Sequence, residues 1–463
     1  MTTILADGWL ITMNPARDVL EAASVCVEKD RIVAIGTRDK LARAHPQAEI
    51  VDCGGRIVMP GMVNTHTHLF QTLLKGLGDD MALKEWFSCM TGPSAVHLTT
   101  EDAKVAALHG CIESLRSGVT TLVDFNYVHT RPGMAEATIE AFEETGIRGF
   151  VCRGFMTCGE AYGVPGVLIE TPSQALAGAR ALIEKQNRTP GRVRAGIAPC
   201  MIWTVEEEAL RLARQLADET GALLTTHVAE TSFEIEEANR RYGRTDTEFL
   251  SDISFLGPDV LAVHCVQCRS RDIRVLRHHD VKVSHNPCSN LYLGSGIPPI
   301  PEMLASGITV GLGSDGPASS NNHSLFQAMK FAALLQKGAH RDPTILTAEK
   351  AIEMATIDGA HAVGLGNEIG SIEPGKKADI IVIDASGPSM TPIHNPVSAL
   401  VYSALGNEVT DVMVDGRFAM RGGAILGVLD TAISAAAQTH ADALARRAGS
   451  DRFRRRGWRS VAI

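Results

Sequence analysis

Ile57-Val58-Met59-Pro60-Gly61-Met62-Val63-Asn64-Thr65-His66-Thr67-His68 opens as an apolar run and closes on two histidines one residue apart. An extended strand alternates its side chains between two faces, so histidines at i and i+2 point to the same side. Seven further apolar runs follow, each succeeded by a helical pattern, and they end near Asp124, Arg153, Pro199, His227, His264, His285 and Asp315. With the first, which ends near Asn64, they make eight β/α units. Strands that alternate with helices pair in parallel, because a parallel return needs a crossover, and eight units over roughly 250 residues match a closed (β/α)8 barrel of the TIM type. The Gly-rich phosphate turn of an open doubly wound sheet is missing after the first strand.

Outward from this region the texture changes. The first fifty-odd residues carry short β-rich runs, Ile4-Leu5, Ser24-Val25-Cys26-Val27 and Arg31-Ile32-Val33-Ala34-Ile35, set apart by turn residues such as Asp30 and Gly36. Similar runs return at 377–384 and at 409–414, the latter closed by Asp415-Gly416. Both chain ends are therefore expected to build one small β-sandwich domain, from 1–57 and 369–430, around a barrel at 58–368. Residues 431–463 read as a C-terminal helical, basic tail with seven Arg between Arg446 and Arg459, expected to be solvated or to contact another subunit.

The 463 residues are 45% hydrophobic and 21% charged, an ordinary globular composition that excludes global disorder. Forty-four Lys+Arg against 53 Asp+Glu leave a net charge of −9, which repels nucleic-acid phosphates and anionic lipid and suits a small neutral or cationic substrate. Ten Cys are too sparse for a disulfide scaffold, and Met1-Thr2-Thr3-Ile4-Leu5-Ala6-Asp7 lacks the basic start of a secretory signal. The longest uncharged stretch, 385–407, is interrupted by Pro, Ser, Asn and His, unlike a membrane span. The expectation is a cytoplasmic protein with no nucleic-acid or membrane partner.

Position gives the histidines their meaning. His227, His264 and Asp315 fall at predicted strand ends, as do His66 and His68, and barrel enzymes assemble their sites on that face. Alone, a His-X-His pair is as often a core feature as a metal site. Three imidazoles and a carboxylate at strand ends suit a mononuclear transition-metal site that leaves room for water, and a divalent metal acidifies water enough to supply hydroxide near neutral pH. Glu230, three residues past His227, can shuttle protons without being a ligand, the alternative being an exposed loop carboxylate. His285 and Asn286 are read as supports of Asp315, as substrate contacts, or as strand-end packing. Cys265-Val266-Gln267-Cys268 has dithiol spacing but lacks a thioredoxin-like context, which favours a structural reading.

Asn64-Thr65-His66-Thr67-His68, His227-Val228-Ala229-Glu230, Val263-His264-Cys265, His285-Asn286-Pro287-Cys288-Ser289-Asn290 and Gly313-Ser314-Asp315-Gly316 together resemble the amidohydrolase superfamily. The likeness is to its methylthioadenosine/adenosylhomocysteine deaminase, oxidised-purine deaminase and triazine hydrolase branch, and it extends to about residue 425. It implies that His66, His68, His227 and Asp315 hold one Zn2+ or Fe2+ per chain. It further implies that Asp315 takes a proton from water, that Glu230 passes protons to a ring nitrogen, and that His264 orients the water or the leaving group. Trp86, in Leu83-Lys84-Glu85-Trp86-Phe87, resembles a segment that closes over the pocket, the alternative being simple core burial, and a homo-oligomer is expected.

The substrate reading turns on three positions. Where the nucleoside deaminases of this branch place a Glu on the ribose hydroxyls and a His after the fourth strand's Pro, this chain has Ala95 and Cys200. Arg153-Gly154-Phe155-Met156-Thr157 is similar to the segment by which deaminases of free oxidised purines and pterins meet a ring carbonyl, the alternative being that Arg153 anchors a loop. The leading expectation is hydrolytic deamination of a free heteroaromatic base, an oxopurine, pterin or aminotriazine, with Arg153, Trp86, Cys200, Glu230 and His264 as substrate contacts. The alternatives are a methylthioadenosine, adenosylhomocysteine or adenosine-type nucleoside deaminase, an s-triazine chlorohydrolase or alkylaminohydrolase, and a non-enzymatic, metal-stabilised binding barrel. Glu230 speaks against the last, since a structural metal needs no acid/base group beside it.

Overall fold

The computed structural model describes residues 2–189 and 191–454. Eight parallel strands, β6 (Met62–Thr67), β7 (Val119–Asn126), β8 (Arg148–Phe155), β9 (Val193–Pro199), β10 (Leu224–Val228), β11 (Val260–His264), β12 (Lys282–His285) and β13 (Val310–Leu312), follow one another around the barrel in chain order. The register is even, running from Thr121 opposite Arg148 to Asn126 opposite Arg153 between β7 and β8. The ring is completed where the Asp315 N–H donates to the His66 carbonyl at 3.0 Å. Strands covered by helices on the outside and packed on the inside are buried on both faces, which is why they read as continuous apolar runs.

The two chain ends meet in a nine-stranded mixed sheet. It comprises β1 (Thr2–Ile11), β2 (Val19–Glu28), β3 (Arg31–Gly36), β4 (Glu49–Asp52), β5 (Arg56–Pro60), β14 (Ile380–Asp384), β15 (Val409–Val414), β16 (Arg417–Arg421) and β17 (Ala424–Ile425). The run expected as a single first barrel strand is in fact divided. β5 pairs antiparallel with β14, from Pro60 opposite Ile380 to Arg56 opposite Asp384, and the barrel begins only at Met62. Gly61 makes the changeover, because a Cβ there would sit 2.2 Å from the Thr120 side chain.

The tail helix Asp430–Ala448 docks on the barrel helix Thr100–Arg116. His440 Nδ1 lies 2.7 Å from Asp102 Oδ1, Arg447 pairs with the same carboxylate, and Arg116 pairs with Asp430. These contacts differ from a tail turned to solvent; Arg455, Arg456 and Arg459 of the basic tail lie outside the described residues. No helix among the described residues is long and apolar enough to cross a membrane.

Candidate active site

Strand ends on one face of the barrel bring His66, His68, His227, His264, Glu230 and Asp315 together. His66 Nε2 lies 3.3 Å and His68 Nε2 3.5 Å from Asp315 Oδ1, and His227 Nε2 lies 3.4 Å from His68 Nε2. The Phe125 carbonyl is 2.8 Å from His68 Nδ1 and the Cys200 carbonyl 2.7 Å from His227 Nδ1. A carbonyl can only accept, so each Nδ1 carries the proton and each Nε2 presents its lone pair inward. Both ring nitrogens of His66 are buried without a hydrogen-bond partner, a costly state unless a ligand answers it.

Burial lowers the basicity of all these imidazoles: His66 falls below its ordinary value, His68 drops to about 3, and His227 goes well below the usual range. They are therefore neutral at pH 7, the form that binds a metal. Burial alone would raise Asp315, but the surrounding imidazoles, led by His66, hold it well below the usual carboxylate range. One potential ligand atom each from His66, His68 and His227, and likewise from His66, His264 and Asp315, fall within 4.8 Å of one another. Converging neutral nitrogens and one carboxylate, with an orphaned imidazole among them, fit a single divalent transition metal.

The acid/base groups stand beside this cluster. Glu230 is buried, accepts from Ser295 Oγ at 3.2 Å and lies 3.5 Å from His264 Nε2. Burial and then the charge of Asp315 push its carboxyl up to about 8, so at neutral pH it carries a proton to donate. His264 is oriented by Asn290 Oδ1, 2.8 Å from its Nδ1. Asp315 accepts from Ser289 Oγ and from the Gly316 N–H, each at 2.6 Å. Ala229, His264 and Asp315 have φ of 50°, 73° and 60°, left-handed backbone that non-glycine residues adopt under tertiary constraint, often at functional sites.

The pocket above is mostly apolar. Trp86, Phe87, Met156, Met201, Trp203 and Leu293 line it, and among the described residues its wall contains neither Lys nor Arg. Trp86 is buried in this wall, with its indole N–H donating to the Ala318 carbonyl at 3.0 Å. Cys200 also lines the pocket, and burial pushes its thiol up, so it is a neutral wall group whose carbonyl orients His227.

Arg153 does not reach this pocket. Its guanidinium donates to both Glu170 oxygens at 2.7 and 3.0 Å and to the Ala175 carbonyl at 3.2 Å. A Cβ on Gly178 would lie 2.7 Å from its Nε. Strand alternation gives the reason: Arg153 is three positions before the pocket residue Met156 and so belongs to the opposite face. The expected contact of Arg153 with substrate is thereby corrected to an anchor for the segment 170–178. His285 is buried without a partner on either nitrogen and does not hold Asp315, a task that Ser289 performs. Nothing local in the sequence gives Ser289, Asn290, Ser295 or Trp203 a role, although the first two lie inside the His285-to-Asn290 motif. Cys265 and Cys268 are buried free thiols.

Residues 57–419 match the Amidohydrolase family. The chain belongs to this family. Residues 25–48 also match the imidazolonepropionase-like composite domain of bacteria. This amidohydrolase is 39% identical over 420 residues to the 5-methylthioadenosine/S-adenosylhomocysteine deaminase of Symbiobacterium thermophilum, covering 89% of this chain and 92% of that one. It is 37% identical over 447 residues to the 5'-deoxyadenosine deaminase of Methanosarcina acetivorans, covering 96% and 99%. A crystal structure of an adenosine deaminase from Xanthomonas campestris with bound zinc superposes with a TM-score of 0.89 at 28% identity, over 96% of this chain and 98% of that chain. This amidohydrolase is a hydrolase acting on carbon–nitrogen bonds of cyclic amidines.

Proposed function

We propose that this amidohydrolase hydrolytically deaminates the adenine ring of a 5'-deoxy or 5'-thio-substituted adenine nucleoside. The observation that carries the reading is the charge of the pocket. Among the described residues its only ionisable groups besides the Cys200 thiol and the Tyr127 phenol are the histidine–carboxylate cluster and Glu230, and Arg153 is committed to Glu170. An anionic oxopurine or pterin finds no counter-charge there, whereas a neutral adenine with an apolar 5' substituent matches the wall. The names of the two relatives support the same class.

Held by His66, His68, His227 and Asp315, a zinc ion, the metal of the Xanthomonas relative, would supply the Lewis acidity that acidifies water. Asp315 accepts a proton from the attacking water as its oxygen bonds to the amine-bearing ring carbon. Glu230 donates its proton to the adjacent ring nitrogen, which keeps negative charge from building on the ring. His264, fixed by Asn290, orients the oxygen. Asp315 gives its proton to the exocyclic amine, the carbon–nitrogen bond breaks and ammonia leaves, and the hydroxyl proton passes to Glu230 as the ring carbonyl forms, which restores both carboxyl groups.

One observation favours a second reading, a free planar base such as an aminotriazine: Ala95 is fully buried and offers no carboxylate for a ribose diol. Ammonia release measured across methylthioadenosine, adenosylhomocysteine, 5'-deoxyadenosine, oxopurines, pterins and aminotriazines decides. A 5'-modified adenine nucleoside is expected to have the highest kcat/KM; a free base in that place would overturn the first reading in favour of the second.

A further inference from the structure

The turn that presents Glu230 is built in an unusual way. The β10 strand ends at Val228, and the next three amides donate in succession to buried carboxylates. Ala229 N–H goes to Asp246 Oδ2 at 3.0 Å, and the Glu230 and Thr231 N–H groups go to Glu234 Oε2 at 2.6 and 3.1 Å. Ala229 is held at φ 50° in the process. The Thr231-to-Glu234 spacing is the sequence signature of a helix start, and Glu234 does open the helix Ser232–Tyr242. An ordinary helix start needs only the Thr231 bond. Here the same carboxylate oxygen reaches one residue further back, to the amide of the proton-carrying residue itself.

The other oxygen faces the pocket wall. Glu234 Oε1 accepts the Trp203 indole N–H at 3.3 Å. Trp203 is the largest fully buried side chain of the protein's described residues, and it meets Phe87 of the pocket cover, Tyr162 and Phe233 edge-on with centroids 6.2, 5.6 and 5.6 Å away. Glu234 is itself completely buried, and donors point at both of its oxygens.

We propose that Glu234 is a positioning residue which, through its two oxygens, ties the backbone of Glu230 to the aromatic wall formed by Trp203, so that the proton donor and the surface receiving the heterocycle are set by one group. This rests on the role given to Glu230 above. A displaced catalytic group costs on the order of 10²-fold in rate, so such a tie has a measurable consequence.

The two links are separable by mutation. In Glu234→Gln the amide oxygen can still accept from the Glu230 and Thr231 amides, but its NH2 opposes the indole N–H and breaks the tie to Trp203. With methylthioadenosine and metal-loaded protein, KM is expected to rise about 5-fold, the scale of one hydrogen bond, while kcat stays within ~3-fold. Trp203→Phe should raise KM similarly, and the double variant should be no worse than either single one, because both remove the same link. Glu234→Ala releases the backbone as well and should lower kcat at least ~10-fold with metal content unchanged.

Wild-type KM in Glu234→Gln, or effects of Glu234→Gln and Trp203→Phe that multiply, would overturn the proposal even if Glu234→Ala does not fold. The same cycle read on the thermal unfolding of the four proteins needs no substrate: non-additive Tm shifts support the Glu234–Trp203 tie, and additive shifts contradict it. A failure of the nucleoside assignment, seen as no turnover of methylthioadenosine by the wild type, is thereby kept apart from a failure of this inference.

Discussion

The barrel buries charge at both ends, and the two ends treat it differently. At the start of β8, Arg148 donates from Nε and Nη2 to the two Asp379 oxygens at 2.7 and 3.0 Å, and Nη2 also pairs with Asp415. The Asp415 N–H in turn donates to Asp379 Oδ1 at 2.9 Å. All three charges of this group are paired, Asp415 also lying 3.6 Å from Lys377 Nζ, and the group joins the barrel to the small sheet. At the other end of the strands, three imidazole nitrogens converge within about hydrogen-bond range of one another or of Asp315, neither ring nitrogen of His66 completes a hydrogen bond, and Glu230 is held protonated. The first group is complete within the protein and is structural. The second leaves imidazole nitrogens unanswered within the protein and has its protonation states displaced in the manner of a functional site.

If that contrast is sound, substitutions at the two ends must fail in different ways. The largest effect is expected from His66→Ala or His227→Ala, which should lose the metal by elemental analysis and drop ammonia release to background while the chain stays folded. Metal retained at full occupancy in either variant would remove that residue from the ligand set. Glu230→Gln should keep the metal and lower turnover at least ~10²-fold; near-normal turnover would leave the protonated carboxyl without a catalytic part.

At the structural end, Arg148→Met leaves Asp379 buried without its cation and should cost about 3–5 kcal/mol in denaturant unfolding. The kcat of the folded enzyme should remain within ~2-fold, and a catalytic defect without a stability defect would collapse the distinction between the two ends. Arg153→Met sharpens the comparison on the same strand. Its partner Glu170 is partly solvated, so the stability loss should be about 1 kcal/mol or less, with kcat/KM within ~3-fold. A larger loss in kcat/KM would return Arg153 to the substrate.

The smallest effect lies in pH. The carboxyl of Glu230, ordinarily near 4.5, is pushed up to about 8 by burial and Asp315. Across that interval the folded chain binds a proton that the unfolded chain releases, so this contribution is fully present below the ordinary range and is lost as pH rises through 8. Between about pH 8 and 9 the site imidazoles, ordinarily near 6.5 and all shifted downward by burial, are almost wholly neutral in both states and add little slope. The Tm of metal-free protein should therefore fall with pH over this window, and less steeply in Glu230→Gln. Equal slopes would contradict the burial account.

The sequence shows some of this directly and hides the rest. Strand ends carrying His66, His68, His227, His264 and Asp315 are legible because buried parallel strands are continuous apolar runs that stop where polar residues begin. The split at Gly61 is not legible, since both halves of Ile57–Val63 are equally apolar and nothing local says that each belongs to a different sheet. Arg153 faces away from the pocket because a single step of strand phase inverts the facing of a side chain, and the sequence does not fix that phase. The pattern over 347–364 reads as one helix, yet it breaks at Thr356, whose Oγ1 bonds back to the Ile352 carbonyl at 2.6 Å. The hydrogen bond between Glu234 and Trp203 joins the helix after β10 to the turn after β9, a proximity that only the closed barrel creates.

The most direct test of the claim that the strand-end cluster is a one-metal hydrolytic centre is a zinc titration of chelator-stripped enzyme, followed by ammonia release from the preferred nucleoside. Activity should be absent at the start, rise linearly with added zinc and break sharply at one equivalent per chain. A break at two equivalents, or full activity in the stripped protein, would contradict it.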